Sequence, residues 1–292
     1  MVIGEIISIE NPYRVHRYRN VIGFNQNHNK GVCPVENKET FNCIASEYEK
    51  YRPTYPDEMF DDIFNYSNAV EEDKILEIGC GTGQATNGLV DREYKNITCI
   101  ELGDKLARLT AEKFKSYKSL KVINTSFEEW DGEGGPFKLA VSGTAFHFID
   151  PQFGYRRVWE LLEDSGAIGF FWTIHVPMYD EIHNEIRSHY KEFAPHLDDS
   201  KLQTPEETIN ERKAITEETG NFTSIEVKEY IQILPYTSSD YISLLNTNSK
   251  HRQLSEPDRN NLLNRIKNSI DRSGGYIFKD HRVALFLGKK LK

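Results

Sequence analysis

The residues Glu77-Ile78-Gly79-Cys80-Gly81-Thr82-Gly83-Gln84 place three alternate glycines behind a carboxylate, at the end of the short apolar run Ile75-Leu76-Glu77-Ile78. Glycines at this spacing let the chain turn sharply and let a ligand come close to bare backbone. Amides at the strand end and at the start of the next helix can then hold a polar group. Glu101 follows at the end of the next apolar run, where a carboxylate can accept both hydroxyls of a ribose. The chemistry to expect is the binding of a nucleoside-bearing ligand. A phosphate-binding loop needs Gly-Lys-Ser/Thr, but Gly83 is followed by Gln84 and Ala85. The strict dinucleotide fingerprint fails at Gln84. A nicotinamide-dependent oxidoreductase with a relaxed loop stays open as an alternative, with Gln84 against it.

Glu77-x-Gly79-x-Gly81-x-Gly83 resembles the first motif of class I S-adenosylmethionine (SAM) dependent methyltransferases. Four further segments carry the same resemblance. Phe41 to Pro56 is similar to that family's F-x-x-x-A-x-x-Y-x-x-x-R-P-x-Y-P segment, which caps the cofactor. The likeness implies that Arg52 pairs with the methionine carboxylate, a role that suits a guanidinium, and that Tyr48 and Tyr55 line the pocket. Asn124-Thr125-Ser126-Phe127-Glu128 stands where the family meets adenine, so Ser126 would contact the exocyclic amine and the Phe127 amide the ring. Ser142 to Asp150 resembles the A-F-H-W-I-D run of small-molecule methyltransferases, with Phe148 in place of Trp. Ser239 to His251 is similar to the late, substrate-roofing segment of trans-aconitate methyltransferase-like enzymes.

The resemblance covers about residues 41–175 well. It implies SAM as cofactor, held by Tyr48, Arg52, Tyr55, Glu77, Gly79, Cys80, Gly81, Gly83, Gln84, Glu101, Leu102, Ser126, Phe127, Ser142 and Phe146. The acceptor it implies is a small molecule, with a carboxylate as one form. A SAM-binding or regulatory protein without activity is the second alternative.

Methyl transfer from a sulfonium expels a neutral thioether, so the protein mainly has to align the reactants in a dry pocket. An oxygen or nitrogen acceptor can also need a base. His147 is the candidate, since its pKa suits proton transfer near neutrality; a carboxylate acceptor needs none. No metal is expected: H-E-x-x-H and Cys/His zinc spacings are absent. Ser142-Gly143 and Trp172-Thr173 stand where metal-dependent catechol-type enzymes carry carboxylates. Asp150-Pro151-Gln152-Phe153 falls too late for the N/D-P-P-Y/F of DNA amino-methyltransferases and reads as a helix cap. His183 and His189 lie six apart, share no helical face and read as surface residues.

The elements that must position these groups are legible as short, nearly all-apolar runs at 74–78, 97–100, 122–123, 139–141 and 167–172. Such runs suit strands buried on both faces. Leu102, Leu106 and Leu109, then Val158, Leu161 and Leu162, recur at helical spacing between them. Strand alternating with helix gives βαβ units and a mainly parallel sheet. The resemblance to the methyltransferase family implies an α/β, Rossmann-like, doubly wound sheet of seven mostly parallel strands with helical lid insertions, its last strand, near Val283–Leu287, running in reverse. Thr204-Pro205-Glu206-Glu207 predicts a capped helix start and Gly220 its stop. Ser255 to Ile270 predicts another helix, and the runs 225–227 and 231–233 alternate like strand.

The chain has 292 residues, with 36 basic and 45 acidic side chains for a net charge of −9, and is 38% hydrophobic. This is a globular composition, and it disfavours a protein that grips nucleic acid backbone. No run approaches a membrane span, and MVIGEIISIE lacks a secretory pattern. Four cysteines (Cys33, Cys43, Cys80, Cys99) make no disulfide scaffold. The expectation is a cytoplasmic protein with a small-molecule substrate, no nucleic acid partner, no membrane, and an oligomeric state left open. Residues 1–37 are expected to be an extension, and 38–292 the catalytic domain, with lids at 38–56, 176–202 and 236–275.

Overall fold

The computed structural model describes residues 49–292. Tyr48, the expected extension 1–37 and the first part of the 38–56 segment lie outside the described residues. The strands are β1 (Ile75–Ile78), β2 (Ile97–Glu101), β3 (Lys121–Asn124), β4 (Phe137–Gly143), β5 (Leu162–Ile174), β6 (Phe222–Thr237) and β7 (Tyr276–Lys290). They form one sheet in the order β3-β2-β1-β4-β5-β7-β6. β1 to β5 pair in parallel, and β7 runs antiparallel to both β5 and β6. The doubly wound, mostly parallel sheet with a reversed last strand is therefore as the sequence led us to expect. The reversed strand is longer than expected, beginning at Tyr276, and the alternating runs at 225–227 and 231–233 are parts of the single strand β6.

The helices are α1 (Asp57–Ser67), α2 (Gln84–Val90), α3 (Asp104–Lys113), α4 (Pro151–Leu161), α5 (Glu181–Phe193), α6 (Pro205–Glu218), α7 (Ser238–Asn246), α8 (Ser249–Arg252) and α9 (Glu256–Arg272). One face of the sheet packs Ile75, Leu139, Val141 and Phe171 against Met59, Phe60 and Ile63 of α1 and Leu89 of α2. The other packs Leu76, Ile78, Ala140 and Phe170 against Val158 of α4 and Ile209 of α6. Neighbouring strand residues face opposite layers, which is why the runs are apolar throughout. A third core joins Ile186, Tyr241, Leu262, Ile266 and Ile270 of α5, α7 and α9 to Ile277 of β7.

Local signals fix the helix starts. Asp150 accepts the Phe153 amide at 3.0 Å, with Pro151 in the first turn of α4. Thr204 and Glu207 form a reciprocal capping box on α6. Each satisfies amides that a helix start otherwise leaves unpaired. Among the described residues no helix is long and apolar enough to cross a membrane.

Candidate functional site

The turn after β1 needs a backbone that side chains resist. Gly79 has φ of 72°, and a Cβ built there would stand 2.4 Å from the Cβ of Ala145. The left-handed backbone and the absent methyl together let the turn press against the loop after β4. Gly79→Ala is therefore expected to cost about 2 kcal/mol of stability. Urea unfolding measures it; a variant as stable as the parent would show that the contact relaxes freely.

Glu101, at the end of β2, is 8% exposed. Its Oε2 accepts the Gly81 amide at 2.8 Å and its Oε1 the Gly103 amide at 2.8 Å. Burial pushes its pKa up, and the backbone donors at Gly103, Gly81 and Leu102 oppose that rise. The carboxylate thus ties the glycine turn to the start of α3. Glu77 is deeper, 1% exposed, and its Oε2 accepts the Thr86 hydroxyl of α2 at 2.7 Å.

These groups floor a cavity of about 630 Å³ at the carboxyl ends of the strands. That is the size of a small-ligand site, and the edge of an open α/β sheet is where such sites form. Of the expected cofactor residues, Arg52, Tyr55, Glu77, Gly79, Cys80, Gly81, Gln84, Glu101, Leu102, Ser126 and Phe127 line it. Arg52 donates from Nε to Thr247 Oγ1 at 2.9 Å and from Nη2 to the Thr247 carbonyl at 3.2 Å. Tyr55 meets Thr144 Oγ1 at 3.2 Å and stands edge-on to Phe171. Gln84 donates to Thr82 Oγ1 at 2.7 Å, and Ser126 Oγ accepts the Glu129 amide at 3.2 Å.

Three expected contacts fall elsewhere. Ser142 is fully buried between strands and donates to the Ile78 carbonyl at 2.7 Å, so it joins β4 to β1 instead of facing the cavity. Phe146 turns into the core against Tyr155 and Phe170. Gly83 caps α2 with φ of 82° and packs beneath Phe114, away from the cavity wall. Tyr48 lies outside the described residues.

His147 opens onto the cavity from the short turn Phe146–Phe148. Its Nδ1 accepts the Trp172 indole N–H at 3.2 Å. The ring is exposed to the cavity, and desolvation by the protein around it, and secondarily the charge of Arg212, lower its pKa to about 4. The wall facing the turn comes from α5, α7, α8 and β7, and includes His183, Arg187, His251, Lys279 and His281. His183 is buried, with Nδ1 2.6 Å from Asp180 Oδ1, and His189 is half-buried against Ser269 Oγ at 2.9 Å. Neither is a surface residue, because the helical layer folds over both. α5, α7 and α8 fall within the segments 176–202 and 236–275 expected as lids, whereas the β7 side chains of this wall were not anticipated from the sequence. The visible signal was polar Lys279 and His281 on the same strand face as apolar Ile277 and Val283.

Comparison with solved structures bears on this arrangement. Phosphoethanolamine N-methyltransferase 2 of Haemonchus contortus, solved with SAM, matches 90% of this chain and 61% of its own at a TM-score of 0.52 and 16% identity. The YcgJ protein of Bacillus subtilis matches 80% of this chain and 99% of its own at 0.50 and 13%. The chain has the class I SAM-dependent methyltransferase fold. In sequence, a family model described as ribosomal RNA adenine dimethylase matches residues 56–134, from the start of α1 into the β3–β4 loop. An uncharacterized methyltransferase-like protein of Schizosaccharomyces pombe is 24% identical over 54% of this chain and 61% of its own. A malonyl-[acyl-carrier protein] O-methyltransferase of Paenibacillus is 30% identical over 36% of this chain and 41% of its own. The chain thus spans roughly two-fifths to three-fifths of these relatives' own length.

Proposed function

We propose that the protein transfers a methyl group from SAM to a small molecule bound in the same cavity. The observation that carries the reading is the joining, in this methyltransferase fold, of the glycine turn to Glu101 on the floor of one cavity with a polar roof. The residues fit SAM: Gly79 and Gly81 carry no side chain on the turn that lines the cavity, and Glu101, bonded to that turn, would accept the ribose hydroxyls. Gly79, Cys80, Gly81, Gln84, Glu101 and Leu102 would hold the adenosyl part, Ser126 and Phe127 the adenine, and Arg52, Tyr55 and Glu77 the methionine end. When bound, SAM supplies a methyl group on a sulfonium that leaves as a neutral thioether. The described part of the expected 38–56 segment, together with 176–202 and 236–275, would act as the lid that keeps the pocket dry.

A cavity that also has to take the cofactor leaves room for a small acceptor. The adenine dimethylase match ends at residue 134, before β4 and the loop that faces the acceptor. It supports the cofactor half and leaves the RNA acceptor of that family without support. The resemblance to trans-aconitate methyltransferase-like enzymes favours a carboxylate, which is ionised at neutral pH and needs no base.

His147 suits a donor better than a base. With Nδ1 accepting from Trp172, the neutral ring carries its proton on Nε2 and presents an N–H to the cavity. We therefore revise the proton-acceptor role to one of orienting the acceptor. Incubation with labelled SAM and a pool of cell metabolites tests the reading: a labelled product supports it, and cofactor binding without transferred label would favour a binding protein. Once a product is known, His147→Phe should lower kcat about tenfold, the scale of one hydrogen bond. The shape of the pH profile above pH 5 should stay the same; loss of a limb near pH 6–7 would restore the base.

A further inference from the structure

The roof holds polar groups that the cofactor contacts above leave unused. Lys279 and His281 stand two apart on β7 and share one face of the strand. Their neighbours on that face, Ile277 and Val283, are buried in apolar clusters, whereas Lys279 and His281 border the cavity. His281 is 6% exposed, and among the described residues neither of its ring nitrogens has a hydrogen-bond partner. A buried polar group normally has one, and its absence marks a place for a ligand. The Lys279 ammonium lies within 4.0 Å of no carboxylate among the described residues. The acids around it are engaged: Asp199 with Arg187 at 2.7 Å and His175 at 3.0 Å, and Asp180 with His183. Burial, and secondarily the positive charge of Arg52 on the facing segment, lower the pKa values of His251 and His281.

We infer that Lys279 and His281 form the acceptor's recognition subsite, taking an anionic group of the molecule, while Asp280 between them faces the other side of the strand. The acceptor class is then a small organic acid. This rests on the methyl-transfer reading, since it concerns the second ligand of that cavity. A charged donor suits a carboxylate, and an orphaned buried imidazole beside it disfavours a molecule with no group to pair with it.

Calorimetry on the full chain saturated with S-adenosylhomocysteine tests it, with malate, glycerate and serine as probes and malamide as the uncharged control. At least one acid should bind, and the amide at least about tenfold more weakly. Lys279→Met should weaken that acid about tenfold or more, and Lys279→Arg should recover part of the loss, with the affinity for S-adenosylhomocysteine unchanged in both. Equal binding of acid and amide, an unaltered Lys279→Met, or no acid bound by a protein that does bind S-adenosylhomocysteine would each overturn the inference. Failure to bind S-adenosylhomocysteine at all would instead overturn the methyl-transfer reading beneath it.

Discussion

Glu101→Ala is expected to raise the dissociation constant for S-adenosylhomocysteine about a hundredfold, roughly 3 kcal/mol. Two losses combine. The carboxylate that would meet the ribose is gone, and the Gly81 and Gly103 amides lose an acceptor that each now reaches at 2.8 Å. The second loss loosens the turn that must lie against the nucleoside. Glu101→Gln separates them: its single carbonyl can serve one amide while its NH2 faces the other, so an intermediate loss is expected. Calorimetry gives both constants. An unchanged constant in Glu101→Ala would remove the residue from the site.

The stability of the protein should fall as pH rises through a window set by Glu77. Burial raises its pKa to about 7 from an ordinary 4.5, against the lowering effect of the Thr86 and Cys99 hydrogen bonds. Between those values the folded state keeps a proton that the unfolded chain has released. Stability from this group is therefore fully present below about pH 4.5 and is lost as pH climbs through about 7. The integrated effect is about 3 kcal/mol. Glu77→Gln keeps an acceptor for Thr86 and carries no charge, so the variant should gain on the parent by about that amount between pH 4.5 and pH 8. Urea unfolding at both values measures it; a gap that does not change with pH would show Glu77 in one protonation state throughout.

The floor of the site was readable because its chemistry is local. Three glycines, an acid before them and an acid at the next strand end fall within 25 residues of each other, and each acts through backbone or strand position. The caps at Asp150 and Thr204 were readable for the same reason. Direction of side chains was not. Ser142 and Phe146 occupy the loop and strand end that the motif marks, but one is consumed by the Ile78 carbonyl and the other by the aromatic core. The lid segments 176–202 and 236–275 were named from the sequence, but the side chains that meet in the roof were hidden because the meeting is long-range: Arg187, His251 and His281 come together only when α5, α8 and β7 pack. His183 shows the limit well, since spacing could test it as half of a metal pair but could not say what would cover it.

β7 has a mechanical consequence. Its Val283, Leu285 and Leu287 belong to the sheet core and its Ile277 to the helical layer, and it is paired with β6 from Tyr276↔Thr237 onward. A ribbon braced this way resists bending where the two layers meet, because backbone bonds would have to break in series. The helical layer is thus fixed along its rear edge like a shelf. Across the site, Arg52 from the segment before α1 reaches this layer by hydrogen bonds to the Thr247 hydroxyl and carbonyl.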